Sequence, residues 1–523
     1  MRLGFDLLYA QREEGNQGIG NYSFGHLTHL THHKQVDPFY FQPIVDSLDR
    51  AEWTRQLRTF LEEYHIDVFH LPSPMSVPYP EVFWSGELPA VRFTATVYDL
   101  IPLRFPSVYL PTAAQRTDYE KHLKLLRHMH HLFAISEFTR QDLLREGFSP
   151  NDITPIGAGR DESFFVYPGA ELSDFTRQFP THAPYVLAVN PYDFRKNTER
   201  LIAAFAKSLQ SINELWNLVI TNYATDEVRQ HIQRVAEQSG IANRVYVLGR
   251  VTKSQLLRLY NRAHVFAFPS LYEGLGLPLI ESMQCGTPIV TSNCTSIPEV
   301  VGSAALLVDP QNMDSIAAGL SQLMTSSQKR AQLRDLGLAQ AGEFSWTAVA
   351  EHTFDTLQAL LQQPYVSLAD PSFAIPPETP SEQTFNLRPN RYRRLSPIRR
   401  SGRRVCYVSF NLAVLPPGSV IQQAVLHVPV ASRQTNLRMR PIHRGWDVKS
   451  ILRRRPLLRR RIHLTAITPP SRTTLFAGQR FSAWDCTELA RDWYVNQLQN
   501  HGLHLRPVSY ASPFLTVTVH SSR

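Results

Sequence analysis

The residues best suited to chemistry lie in one run, Val265 to Gly286. An apolar stretch, Val265–Phe268, leads into a loop containing Gly274 and Gly276. Pro278 then stands at the start of a helical pattern, where its missing N–H forfeits no hydrogen bond. Backbone amides at such a helix start, with the positive end of the helix dipole behind them, attract an anion, and glycines let it come close. A diphosphate fits that description. Glu273 and Glu281 flank the loop. Two carboxylates would repel a phosphate unless they accept hydrogen bonds from hydroxyls, so sugar and ribose hydroxyls are their natural partners. By spacing alone, two surface glutamates beside a strand-to-helix turn explain the run equally well. Upstream, the apolar run Tyr185–Val189 delivers a loop with Arg195 and Lys196 to another helical pattern. Fixed cations there could meet charge developing on a departing diphosphate. Taken by itself the pair also fits a solvated basic loop.

Elements that would position these residues are legible along the first 360 or so positions. Short β-rich runs alternate with helical patterns, as in parallel sheets built from βαβ units. Strands are expected at Leu3–Leu8, Val68–Leu71, Val91–Val97 and Leu132–Ile135, with helices at Trp53–Tyr64 and Thr112–His128. A second series runs through Tyr185–Val189, Leu218–Thr221, Val245–Leu248, Val265–Phe268, Pro288–Thr291 and Ala305–Val308, and a helix is expected at Trp346–Leu361. The 523 residues exceed one core, and 43% hydrophobic with 19% charged residues is ordinary for globular protein. No run approaches the roughly 20 apolar residues of a spanning helix, and Met1 opens into Arg2-Leu3 without a signal-like segment. A cytoplasmic location follows as the expectation. Cys285, Cys294, Cys406 and Cys486 are scattered and form no Cys-x-x-Cys spacing, so they read as reduced, packed thiols. His26, His29, His32 and His33 fall at helical spacings but lack accompanying carboxylates or cysteines, so no metal is assigned to them.

The run Phe268–Gly286, continuing through Asn293 and Ser296–Gly302, resembles the signature of family 4 glycosyltransferases of the GT-B fold. The resemblance spans about residues 1–361. It implies an α/β protein with two Rossmann-like domains facing a cleft, at 1–175 on the acceptor side and 176–361 binding the nucleotide sugar. It implies that Glu273 faces the donor sugar, that Gly274, Leu275, Gly276 and Leu277 present amides to sugar and phosphate, and that Glu281 binds the donor ribose. Arg195 and Lys196 correspond to the second phosphate element, and Arg250 with Val251 to backbone that flanks the base. Gly18 and Gly20 resemble the glycine loop, following the first strand and preceding a helix, that closes over the reaction centre. Tyr98-Asp99 stands where many relatives carry His-Asp. Asp99 is assigned to the acceptor or sugar side, with helix N-capping as its alternative role; at Tyr98 either the histidine's role is lost or the hydroxyl substitutes for it. Ser136 reads as a helix cap.

The family precedent implies transfer with retention, the leaving phosphate oxygen taking the acceptor's proton, and no cofactor or metal besides the nucleotide-diphosphate sugar. The expected activity is transfer of a glucose- or mannose-type hexose to a glycan, lipid-linked or protein acceptor in cell-envelope polysaccharide synthesis. The rival from another class is a catalytically degenerate body serving as a polyanion- or glycan-binding module.

Residues 362–385, with Pro364, Pro371, Pro376, Pro377 and Pro380, read as a semi-rigid linker. Residues 386–523 are β-rich, with one helix expected at Thr487–Leu498, in the pattern of an all-β sandwich. Val405–Val428, Ala483–Trp493 and Asn500–Leu505 resemble a DNRLRE-type domain, which implies structural roles for Trp484, Asp485, Thr487 and Trp493. This segment carries about +20 charges and leaves about −11 on the body. The clusters Arg453–Arg455 and Arg459–Arg461 suit planar contact with phosphate or carboxylate. An anionic polymer or the inner membrane face is the expected partner, a merely solvated basic face is the alternative, and nucleic acid ranks last for want of a recognition motif.

Overall fold

The structure, a computed structural model, describes residues 1–8, 18–43, 49–189, 193–221 and 225–370, together with the backbone of strands within 382–520. The chain divides into two compact units, Met1–Leu144 with Phe148–Ile375, and Arg145–Gly147 with Pro376–Arg523.

The first unit holds two six-stranded sheets, parallel throughout. The strands of the first are β1 (Arg2–Asp6), β2 (Asp37–Phe41), β3 (Val68–Leu71), β4 (Arg92–Val97), β5 (His131–Ala134) and β6 (Ile153–Pro155), in spatial order β2-β1-β3-β4-β5-β6. Those of the second are β7 (Tyr185–Val189), β8 (Asn217–Thr221), β9 (Val245–Gly249), β10 (Val265–Phe268), β11 (Ile289–Ser292) and β12 (Ala305–Val308), in order β12-β11-β10-β7-β8-β9. Strands β3, β4, β7, β8, β10 and β11 are buried at every residue, as expected where helices cover both faces of a parallel sheet. In the second sheet the winding reverses between β7 and β10. At such a reversal in an open α/β sheet, ligands bind in a crevice beyond the carboxyl ends of the strands. The loops carrying Arg195-Lys196 and Glu273–Gly276 leave those two strands.

Two edge strands, β2 and β6, were not expected from sequence. β2 has only Phe39-Tyr40-Phe41 after Pro38 and is half-buried, and β6 is three residues long, so neither shows the continuous buried apolar run of the central strands. Helices begin where short-range chemistry tells them to. Thr112 with Gln115 and Thr252 with Gln255 form reciprocal capping boxes for Ala113–Arg127 and Lys253–Arg262.

The helix Trp346–Gln362 returns from the second sheet's lobe to the first and lies along the helix Gly18–Thr31. His26 Nε2 sits 2.9 Å from Thr353 Oγ1, and His33 stacks on Phe354 at 3.9 Å. The Trp346 ring packs edge-on against Tyr22 at 4.9 Å. The indole is admitted by two glycines: a Cβ on Gly25 would lie 2.4 Å from its ring, and one on Gly159 would lie 2.2 Å from it. Beyond this helix, the first residues of the expected linker pack on the first lobe. His130 Nε2 is 2.9 Å from the Val366 carbonyl, the Arg92 guanidinium lies 5.1 Å over the Tyr365 ring, and Leu368 is buried in the first lobe's core.

The described strands of the second unit pair antiparallel in two sheets: Glu382–Leu387, Val420–Pro429, Ala466–Ile467, Phe481–Asp485 and Phe514–His520 in one, and Pro389–Leu395, Val405–Phe410, Arg438–Pro441 and Leu503–Arg506 in the other. The expected helix Thr487–Leu498, Trp493 and the two arginine clusters lie outside the described residues.

Gly159→Ala must push the terminal helix off the first lobe, because the Trp346 backbone nitrogen would also lie 2.3 Å from the new Cβ. The expected loss is about 1–3 kcal/mol of stability. Gly342→Ala, with open space around it, is expected to cost under about 0.5 kcal/mol; chemical denaturation of the two variants checks the difference.

Candidate active site

β7 and β10 deliver their loops side by side. The Leu271 amide donates to the Arg195 carbonyl at 2.7 Å, which fixes one loop against the other. Asn197, in the left-handed conformation with φ 61°, ends the basic loop. Its side-chain amide donates to the carbonyls of Pro269 and Pro310 at 3.0 and 2.7 Å.

On this base Lys196 Nζ lies 2.6 Å from Glu273 Oε1, with the two side chains 13% and 10% exposed. Lys196 also stands 4.8 Å over the Phe268 ring. Arg195 Nη1 lies 3.9 Å from Glu273 Oε2 and donates to the Tyr272 carbonyl at 3.0 Å, and its Nη2 donates to Asp193 at 2.8 Å. Burial pushes the guanidinium pKa down, but Glu273 and Asp193 outweigh it and raise Arg195 above its usual range. The geometry brings together three of the residues expected from sequence and adds Asp193, which caps its own turn through the Arg195 amide at 2.9 Å.

Gly276, with φ 110°, precedes the helix Leu277–Gln284, and no side chain caps that helix. Leu275 is buried, and its carbonyl and that of Glu273 each accept from Ser296 Oγ at 3.0 Å. Gly274 has the tightest requirement, since a Cβ there would lie 2.1 Å from the Tyr98 carbonyl oxygen of the other lobe. Ser136 and Thr139 hydroxyls lie 2.6 and 3.2 Å from the Gly274 carbonyl, and Ser136 Oγ also accepts from the Thr139 amide at 2.9 Å. Ser136 is thus both the helix cap expected of it and a tie to the glycine loop.

Glu281, one turn into the helix, is half-buried and accepts from the Tyr260 hydroxyl at 3.0 Å. Burial raises its carboxyl to about 7, offset in part by that hydrogen bond. It lines a cavity of about 240 Å³ between the lobes with Phe24, Gly159, Lys253, Leu277 and Gln284. Arg250 is exposed immediately after β9, and Val251 packs against the core.

On the first lobe, Gly18 and Gly20 are the opening turn of a helix rather than part of a loop before it. The preceding residues 9–17 lie outside the described set. Tyr98 OH is 2.6 Å from Ser23 Oγ, and its ring meets Tyr22 edge-on at 5.5 Å. Asp99 accepts from the Ile101 amide at 2.9 Å, a turn-capping bond, and burial raises its carboxyl above the usual range. Of the four histidines at helical spacings, His26 and His29 lie in the first helix and His32 and His33 just beyond it; His26 and His33 contact the terminal helix, His29 bonds the Gly25 carbonyl at 2.8 Å and His32 that of Thr28. Among the described residues no group of three His, Cys, Asp or Glu is placed to hold a metal, and no helix is long and apolar enough to cross a membrane.

Residues 171–338 match the family model "Glycosyl transferases group 1". The serotype-specific mannosyltransferase WbdA of Escherichia coli is 28% identical over 292 residues, 55% of this chain and 35% of its own length. The O-antigen chain mannosyltransferase B of the same organism is 31% identical over 234 residues, 44% of this chain and 60% of its own. The chain therefore spans between about a third and three-fifths of these two curated relatives. Among solved structures, sucrose-phosphate synthase from Thermosynechococcus elongatus superposes with TM-score 0.57 at 19% identity, covering 69% of this chain and 99% of that one. Anabaena Alr3699/HepE, in complex with UDP and glucose, superposes with TM-score 0.54 at 17% identity, covering 69% and 100%. Residues 171–338 are thus similar to the glycosyl transferases group 1 family, within a two-sheet α/β fold of the GT-B kind.

Proposed function

We propose that this chain is a retaining glycosyltransferase that moves a hexose, with mannose the first candidate, from a nucleoside-diphosphate sugar to a glycan or lipid-linked acceptor in surface polysaccharide synthesis. One observation carries the reading: Lys196, Arg195, Glu273 and an uncapped helix start converge where the second sheet reverses its winding. The mannosyltransferase names of the two Escherichia coli relatives favour mannose, and the UDP and glucose complex of a fold neighbour favours a nucleotide sugar.

In this reading the diphosphate lies against the first amides of Leu277–Gln284, the donor ribose donates its hydroxyls to Glu281, and the sugar hydroxyls turn to Glu273. The bond between the anomeric carbon and the β-phosphate oxygen breaks, and the acceptor hydroxyl oxygen joins that carbon on the same face. Its proton passes to the departing phosphate oxygen. Charge on that leaving group is met by Lys196, Arg195 and the helix dipole, so no metal is required. Asp99 and the Tyr98–Ser23 hydroxyl pair lie toward the acceptor. The basic segment 386–523, read as a β-sandwich, holds the enzyme near an anionic polymer or the inner membrane face, a cytoplasmic placement.

Lys196→Ala is expected to lower turnover by about 10²–10³, the scale of losing one transition-state donor. Release of nucleoside diphosphate from GDP-mannose, UDP-glucose and ADP-glucose, with an acceptor glycan present, measures it. Turnover within a few-fold of wild type would reject the role.

Glu281 gives a pH signature. Its carboxyl is held at about 7, above the unfolded range, so the folded protein binds the extra proton and loses stability as pH rises toward 7. Ribose hydroxyls need the ionised form. Nucleoside-diphosphate affinity is expected to rise roughly ten-fold from pH 6 to pH 8 relative to Glu281→Gln, about the change in ionised fraction across that pKa. Calorimetric titrations giving parallel profiles would remove Glu281 from the ribose site.

A further inference from the structure

The segment following Asp99 reaches across the cleft. The short helix Pro106–Tyr109 belongs to the first lobe, yet the Tyr109 hydroxyl donates to Asp193 Oδ2 at 2.6 Å and accepts from Arg195 Nε at 2.7 Å. Asp193 and Arg195 belong to the basic loop of the second lobe. The phenol therefore closes a ring of three groups whose other two members are already paired to each other at 2.8 Å. Nearby, Phe105 packs edge-on against Phe194 at 5.0 Å and against Tyr272 at 5.8 Å. The Tyr272 hydroxyl donates to Asp142 of the first lobe, which also accepts from Arg104 at 3.2 Å. This seam exists only while the lobes are together.

Within the ring each bond has a distinct effect. Nε and Nη2 of Arg195 are occupied by Tyr109 and Asp193, and Nη1 is left on the side of Glu273 and the Tyr272 carbonyl. Arg195 Nε also donates to both Asp193 oxygens at 3.1 Å, so separation of the lobes would remove the Tyr109 hydroxyl, the ligand of Arg195 from across the cleft among the described residues, and leave the guanidinium positioned by Asp193 and the Tyr272 carbonyl. We propose that Tyr109 is a positioning residue that couples lobe closure to the orientation of Arg195, so that the guanidinium faces the donor only in the closed molecule. It acts through Arg195 and takes no part in bond making. The catalytic half of this inference rests on the glycosyltransferase reading, and the conformational half does not.

Tyr109→Phe keeps the ring against Phe194 and deletes only the hydroxyl. The expected result is a kcat lowered about ten-fold with donor KM within three-fold of wild type, because the donor still docks on the second lobe. A kcat within two-fold of wild type, or a loss confined to KM, overturns the coupling. A second readout needs no turnover: phenylglyoxal labelling of Arg195, followed by peptide mass spectrometry on the ligand-free full chain. Arg195 is expected to label several-fold faster in Tyr109→Phe than in wild type, and an equal rate overturns the proposal. Should wild type transfer no sugar at all, the functional reading falls while the labelling ratio still judges the closure contact.

Discussion

The ion pair between Lys196 and Glu273 is the interaction on which the rest of the cleft depends. Charges withdrawn from water cost several kcal/mol each unless their hydrogen bonds are met. Here the cost is met by converging loops: Glu273 answers Lys196, while Asp193, Tyr109 and the Tyr272 carbonyl answer Arg195. Removing one member would strand its partners, so the loop geometry and the charge balance are one feature. The same pairing explains how a donor could enter. Under the proposed function a diphosphate would compete with Glu273 for the cations while the donor's sugar hydroxyls would compensate Glu273, so charges and hydrogen bonds would exchange partners instead of being lost.

Close approach of the lobes is the second constraint, and glycines and small hydroxyls make it. Gly274 accepts the Tyr98 carbonyl where any side chain would collide, and Ser136 and Thr139 bind the Gly274 carbonyl from the opposite lobe. Gly25 and Gly159 admit the Trp346 indole at the start of the terminal helix. The two contacts are neighbours, since the Tyr22 ring packs against both Tyr98 at 5.5 Å and Trp346 at 4.9 Å. Motion between lobes, as in enzymes that close over substrate, would have to break the Gly274 contacts and preserve the Trp346 packing.

Much of this was legible in the residues. Buried parallel strands announce themselves as continuous apolar runs, and ten of the twelve in the first unit were placed from such runs. The two missed, Asp37–Phe41 and Ile153–Pro155, are edges where half-burial, proline and short length erase the pattern. Local chemistry marked the cap at Ser136 and the turn at Gly276, because both act within a few residues of themselves. Contacts joining distant segments left no local trace: Tyr109 on Arg195, Tyr260 on Glu281 and Ser296 beneath the glycine loop became visible only with the fold. Asp193 could have been found, since an acid two residues before Arg195 can cap a turn and hold the guanidinium at once. The glycines at 18 and 20 were misread as loop because glycine is a poor guide to where a helix opens.

The account stands on the cleft's own charges taking up a diphosphate. The direct measurement is calorimetric titration of the full chain with GDP, UDP and ADP, and with the matching monophosphates, in buffer containing EDTA. At least one diphosphate should bind ten-fold or more tightly than its monophosphate, with affinity unchanged when magnesium replaces the chelator. No measurable affinity for any of the three diphosphates, or affinity that appears only with magnesium, would contradict it.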